Sequence, residues 1–148
     1  MKSCFFIGHR ETGEDIFPNL KQAVMKHITE YGVTEFYVGN YGGFDQLAAR
    51  AVIEAKSEHP QICLYMLIPY HPSQRPVDLR QGFDNTFYPP DMERVPHRFA
   101  IVRANRYMVA HVEYLIAYAW HPASNARKLT EYAQMRQKKG MITVTMLE

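Results

Sequence analysis

Short runs of β-branched and aromatic residues alternate along this chain with longer segments of helical period. The runs fall at residues 4–7, 35–38, 62–68, 114–119 and 141–145, and apart from Glu35, Thr143 and Thr145 they are continuously apolar, as strands covered on both faces require. Between the first two, Leu20, Val24, Ile28 and Tyr31 recur at helical spacing, and Gly32 closes the pattern where a left-handed cap is wanted. A second helix is predicted over 45–57, burying Leu47, Ala48, Ala51, Val52 and Ala55. A third runs over 97–110 and a fourth over 124–139, stopped by Gly140. The order β-α-β-α-β-loop-α-β-α-β predicts an α/β fold, with a mainly parallel sheet of about five strands between helices, in a single domain spanning 1–148.

The gap from 69 to 96 is too long for a simple connection. Its six prolines, with Tyr70, Phe83, Phe87 and Tyr88, suit either an ordered lid or a surface loop packed on its own side chains.

In open parallel sheets, ligands collect at the carboxyl ends of strands, where the strand order reverses. That rule selects the loops at 8–13, 39–45, 69 onward and 120–127. In the second, Gly39, Gly42 and Gly43 remove side chains that would keep a phosphate away, and the next helix offers unpaired N–H groups. Asp45 falls at or beside its N-cap, where a carboxylate bonds free amides. A tight strand-to-helix turn with nothing bound also uses glycines. The loop carries neither the Gly-Lys-Ser/Thr ending of a P-loop nor a GxGxxG fingerprint.

The first loop places Gly8, His9 and Arg10 directly after a strand. A guanidinium suits a phosphate or carboxylate, and an imidazole can bond a ribose or base; a solvated surface pair is the alternative. On the third helix, at about 100° per residue, Ile101, Val102, Met108 and Val109 form a stripe with Arg98 and Asn105 in its middle. Arg98 is expected at the ligand edge. Asn105, roughly 10 Å deeper, is expected as a buried hydrogen-bonding strut. Ser124 and Asn125 either cap the fourth helix or meet a ligand. Tyr41, Tyr70 and Trp120 are the aromatics placed to meet a base.

Composition narrows the function classes. Seventeen Lys and Arg against fifteen Asp and Glu give a net charge of +2 with no basic tract, which argues against nucleic acid as a partner. Cys4 and Cys63 sit inside apolar runs and read as buried thiols in a reducing cytoplasm. No run approaches the roughly 20 apolar residues of a membrane helix, and no targeting segment is expected. The scattered histidines show no metal-ligand spacing, so neither metal nor cofactor is expected. Abundant Tyr and Met leave a homo-oligomer open.

The motifs "CFFIGHRE", "VGNYGGFDQLAARAV", "RFAIVRANRYM" and "EYLIAY" before "KLTEYA" together resemble the SLOG superfamily, which includes DprA, the YpsA-like proteins and the LOG phosphoribohydrolases. The likeness is greatest to the small YpsA-like members and covers nearly the whole chain except the proline-rich loop. It implies a Rossmann-like three-layer α/β/α sandwich that binds a nucleotide or nucleotide-derived anion at the strand ends. The family's Gly/Asp signature matches Gly42, Gly43 and Asp45. Its later glycine pair is replaced here by Ser124 and Asn125, while its glutamate is kept as Glu131. The catalytic arginine of the phosphoribohydrolases falls on Ala104. The leading expectation is therefore binding of a nucleotide-derived small molecule. The alternative is an N-glycosidic hydrolase or transferase on nucleoside monophosphates, with Glu131 as its catalytic carboxylate.

Overall fold

The computed structural model describes residues 2–148. Its strands are β1 (Lys2–Gly8), β2 (Val33–Val38), β3 (Cys63–Leu67), β4 (Asn85–Phe87), β5 (Tyr114–Tyr118) and β6 (Thr143–Met146), and its helices are α1 (Phe17–Thr29), α2 (Gly43–Lys56), α3 (Ala100–His111) and α4 (Asn125–Lys138). The strands form one sheet in the order β4-β3-β2-β1-β5-β6, with every neighbouring pair parallel. This is the three-layer Rossmann-like sandwich, with six strands where about five were expected.

Consecutive residues of β1 feed opposite cores. Phe6 packs with Leu20, Val24, Ala48 and Val52 of α1 and α2, whereas Phe5 and Ile7 pack with Ala104, Met108, Leu129 and Ala133 of α3 and α4. That is the period of two in a strand meeting a helix layer on each side. The helix stops are as the sequence suggests: Gly32 and Gly140 adopt φ of +71° and +73°, a region that costs a side chain strain.

The added strand comes from the proline-rich segment. Asp84 anchors it by accepting from the Leu64 amide and from Lys56 Nζ, both at 2.7 Å. Phe83 is buried, and Asn85–Phe87 then pair with β3 until Pro89 and Pro90 follow. Residues 85–87 of the segment thus add a parallel strand to the sheet edge. Three residues amid prolines and aromatics carry too little periodicity to announce a strand.

The chain moves outward from β1 through β2 and β3 to β4, then α3 carries it back across to β5 on the other side of β1. The reversal opens a crevice beyond the carboxyl ends of β1 and β5, between α3 and α4. That crevice is where ligands bind in folds of this kind.

Candidate functional site

The glycine-rich loop after β2 does not present bare amides to a ligand. The Gly43 amide donates to the Arg10 carbonyl at 2.7 Å and the Phe44 amide to the His9 carbonyl at 3.3 Å, so the start of α2 is occupied by the loop after β1. A Cβ on Gly42 would come within 2.7 Å of Arg10 Cα, and one on Gly43 within 2.8 Å of the Arg10 carbonyl oxygen. These two glycines let two stretches of the protein's own backbone meet. Gly39 serves a similar end, since its Cβ would lie 2.8 Å from Asp45 Oδ2.

Asp45 stands in the first turn of α2, but its Oδ2 accepts from the Tyr41 amide at 3.1 Å rather than from the amides of its own helix. Burial pushes its carboxyl up to about 6, against the Tyr41 bond and the nearby Arg80 and Arg10 charges, which pull it down. It is half-buried in the wall of a cleft of about 540 Å³ at the switch point.

Gly8, His9, Arg10 and Tyr41 line this cleft from the strand ends, and Asn105 and Arg106 line it from α3. Ser124, Asn125 and Lys128 line it from the start of α4. Ser124 is the N-cap: its Oγ accepts from the Arg127 amide at 3.1 Å and donates to the His121 carbonyl at 2.9 Å. The amides of Asn125 and Ala126, the first two of the helix, have no acceptor within it and sit at its positive end. The helix terminus left open at the cleft is thus that of α4, whereas the start of α2 is taken by backbone. Among the described residues, Arg10, Arg106 and Lys128 form no ion pair; the Arg106 guanidinium lies 3.9 Å over the Tyr132 ring.

His9 is committed to the scaffold. Its Nε2 accepts from the His121 amide at 3.1 Å, which fixes the neutral ring with its proton on Nδ1, and its ring meets Trp120 edge-on at 5.0 Å. Burial, and next the His121 charge, lower its pKa. Through His9, β1 therefore positions the loop that leads into α4. Trp120 itself is 60% exposed and is not among the cleft-lining residues.

Several expectations need correction. Arg98 does not face the sheet: a 3-10 turn at His97–Phe99 precedes α3, breaking the helical phase, and the exposed guanidinium lies over the Phe99 ring at 4.8 Å. The buried face of α3 is Ala100, Ala104, Met108 and Val109, with Val102 49% exposed. Asn105 is a half-buried cleft-wall residue whose side chain makes no hydrogen bond among the described residues. Tyr70 is buried, donates to the His97 carbonyl and carries Arg75 over its ring at 4.0 Å; it lines a neighbouring hollow rather than the cleft. Cys63 is half-buried rather than buried. Glu131 is exposed, 3.8 Å from Arg127 Nε, and does not line the cleft, so a hydrolase built on it lacks its carboxylate there.

Two cleft cations, Arg106 and Lys128, were not singled out by sequence reasoning as ligand-facing. Lys128 carried a signal, standing one turn beyond the N-cap Ser124 and hence on its face of the helix.

Fold and crevice together define a Rossmann-like α/β protein with a cationic switch-point cleft. The chain is similar to DNA processing protein A from Helicobacter pylori, which binds single-stranded DNA: identity is 15%, the match covers 97% of this chain and 74% of that one, and the TM-score is 0.55. No protein-family model and no curated protein matches. The likeness establishes the fold, in agreement with the motif resemblance at that level. It also corrects the exclusion of nucleic acid drawn from net charge. Single-stranded DNA binding occurs on this architecture, and a whole-chain charge of +2 says nothing about cations gathered at one cleft. Among the described residues no helix is long and apolar enough to cross a membrane.

Proposed function

We propose that the switch-point cleft binds a nucleotide unit, with its phosphate at the N-terminus of α4, and that the chain is a SLOG-type ligand-binding domain of the YpsA-like kind. The observation that carries this reading is the coincidence of three things: the open first turn of α4, the unpaired Arg10, Arg106 and Lys128 around it, and a cleft of about 540 Å³. Two amides and a fork of cations neutralise a phosphate dianion, and Asp45 and Asn105 supply an acceptor and an amide for sugar hydroxyls. Tyr41 offers a half-buried ring for the base.

A second reading takes the nucleotide as part of a single strand of nucleic acid. It is favoured by Trp120 and Phe99, 60% and 51% exposed, which are rings of the kind on which unpaired bases stack. The similarity to a single-stranded DNA-binding protein supports the same reading.

Isothermal titration with thymidine monophosphate, ADP-ribose and an eight-residue oligothymidylate tests both. Binding that weakens in Lys128→Gln and Arg10→Gln supports the cleft as the site. Silence with all three ligands refutes it.

A further inference from the structure

The cleft does not end at Tyr41. A second hollow of about 370 Å³ lies farther along the same sheet edge, between the ends of β2 and β3 and the proline-rich segment. Between the two sits a small hollow of about 20 Å³. It shares Tyr41, Asp45 and Asn105 with the cleft, and Tyr41, Leu67 and Pro69 with the second hollow. The three hollows therefore follow one another along the carboxyl edge of the sheet as a segmented trough, with Tyr41 lining each of them.

The far end of the trough carries its own cations. Arg75 lies 4.0 Å over the Tyr70 ring and Arg80 lies 5.2 Å from the Phe83 centroid, and both rings are buried. Aromatic faces hold the guanidinium planes while leaving their N–H edges open to a ligand. Neither arginine pairs with a carboxylate among the described residues, and Asp78 is the one acidic side chain lining that hollow. Asp45 lines both the cleft and the small middle hollow, and the Arg80 and Arg10 charges both lower its pKa.

We propose that this trough is a two-subsite channel for a ligand made of two nucleotide units joined through phosphate. The switch-point cleft holds one unit, Arg75 and Arg80 hold the phosphate of the other, and Tyr41 packs between them. The proposal rests on the nucleotide reading of the cleft. A free dinucleotide and a stretch of single strand present the same chemistry to it.

The test compares thymidine monophosphate, the dinucleotide pTpT and an eight-residue oligothymidylate on the full chain, in the unchanged protein and in Arg75→Gln/Arg80→Gln. We expect pTpT to bind about tenfold tighter than the monophosphate, because the second contact is made intramolecularly. The double variant should lose that gain and keep the monophosphate affinity, which also reports that it is folded. Arg80→Lys, which keeps the charge, should retain part of the gain. An oligothymidylate that binds more tightly than pTpT, with the same arginine dependence, assigns a strand as the source; equal binding assigns a free dinucleotide. Equal affinity for the monophosphate and pTpT, or equal losses for both in the double variant, overturns the second subsite while leaving the cleft reading intact. Absence of binding by all three probes overturns both.

Discussion

Replacing Asp45 with asparagine should make the protein more stable near neutral pH and a poorer binder. The carboxyl is raised from 3.8 to about 6 chiefly by burial. A carboxylate whose folded pKa lies above its unfolded value contributes stability that is complete below pH 4 and is lost as pH rises through about 6. The full shift corresponds to roughly 3 kcal/mol. Partial exposure of Asp45 to the cleft reduces the expected effect to about 1–2 kcal/mol. Asparagine keeps an oxygen for the Tyr41 amide while removing the charge that is costly to bury. Urea unfolding of both proteins from pH 4 to pH 8, without ligand, measures this. The variant's stability relative to the unchanged protein should climb between pH 4 and 6 and then level off. His9 and His27, whose pKa values are lowered by burial, cost stability as pH falls below about 6.5, but they do so in both proteins and cancel in the difference. A difference that does not vary with pH would refute the electrostatic reasoning. A variant that is stabilised and yet binds nucleotide as tightly as before would remove Asp45 from the site.

Gly42→Ala should cost about 1–3 kcal/mol in urea unfolding, because its Cβ would meet the Arg10 backbone at 2.7 Å; an unchanged midpoint would undo the account of the glycine loop as a chain-to-chain contact. Lys128→Gln should weaken thymidine monophosphate by about tenfold with little change in melting temperature, since the side chain is exposed and unpaired. Glu131→Gln should leave both affinity and stability nearly untouched, within about 0.5 kcal/mol, as expected for an exposed pair at 3.8 Å; release of free base that this variant abolishes would revive the hydrolase reading. By NMR, the His9 imidazole should titrate below 6.5, and the His121 amide should lose exchange protection as Nε2 takes up a proton; a normal titration would break the link between β1 and the α4 loop.

Element order was legible because the apolar period switches cleanly between strand and helix. The runs at 4–7, 35–38 and 114–119 lie within or overlap β1, β2 and β5, and Gly32 and Gly140 stand after α1 and α4 where a left-handed residue is needed. The loops at the carboxyl ends of β1, β2 and β5 were legible for the same reason, and from them came His9, Arg10, Tyr41, Asp45, Ser124 and Asn125, which do gather at one cleft.

What local pattern by itself determined was therefore the layer order and which loops lie at the carboxyl edge of the sheet, since both follow from periodicity and chain direction. Which helix terminus stays open was decided only by tertiary packing. Gly42 and Gly43 read equally well as a phosphate cradle or as a seat for backbone, and it is the loop after β1, docked on α2 by two hydrogen bonds, that chooses the second. Arg98 turned outward because a 3-10 turn reset the helical phase, and Arg75 and Arg80 reached the same edge through a segment whose course no period encodes. Sequence spacing gives directions around an element's own axis. It carries no information on which neighbour's carbonyl has already taken a donor.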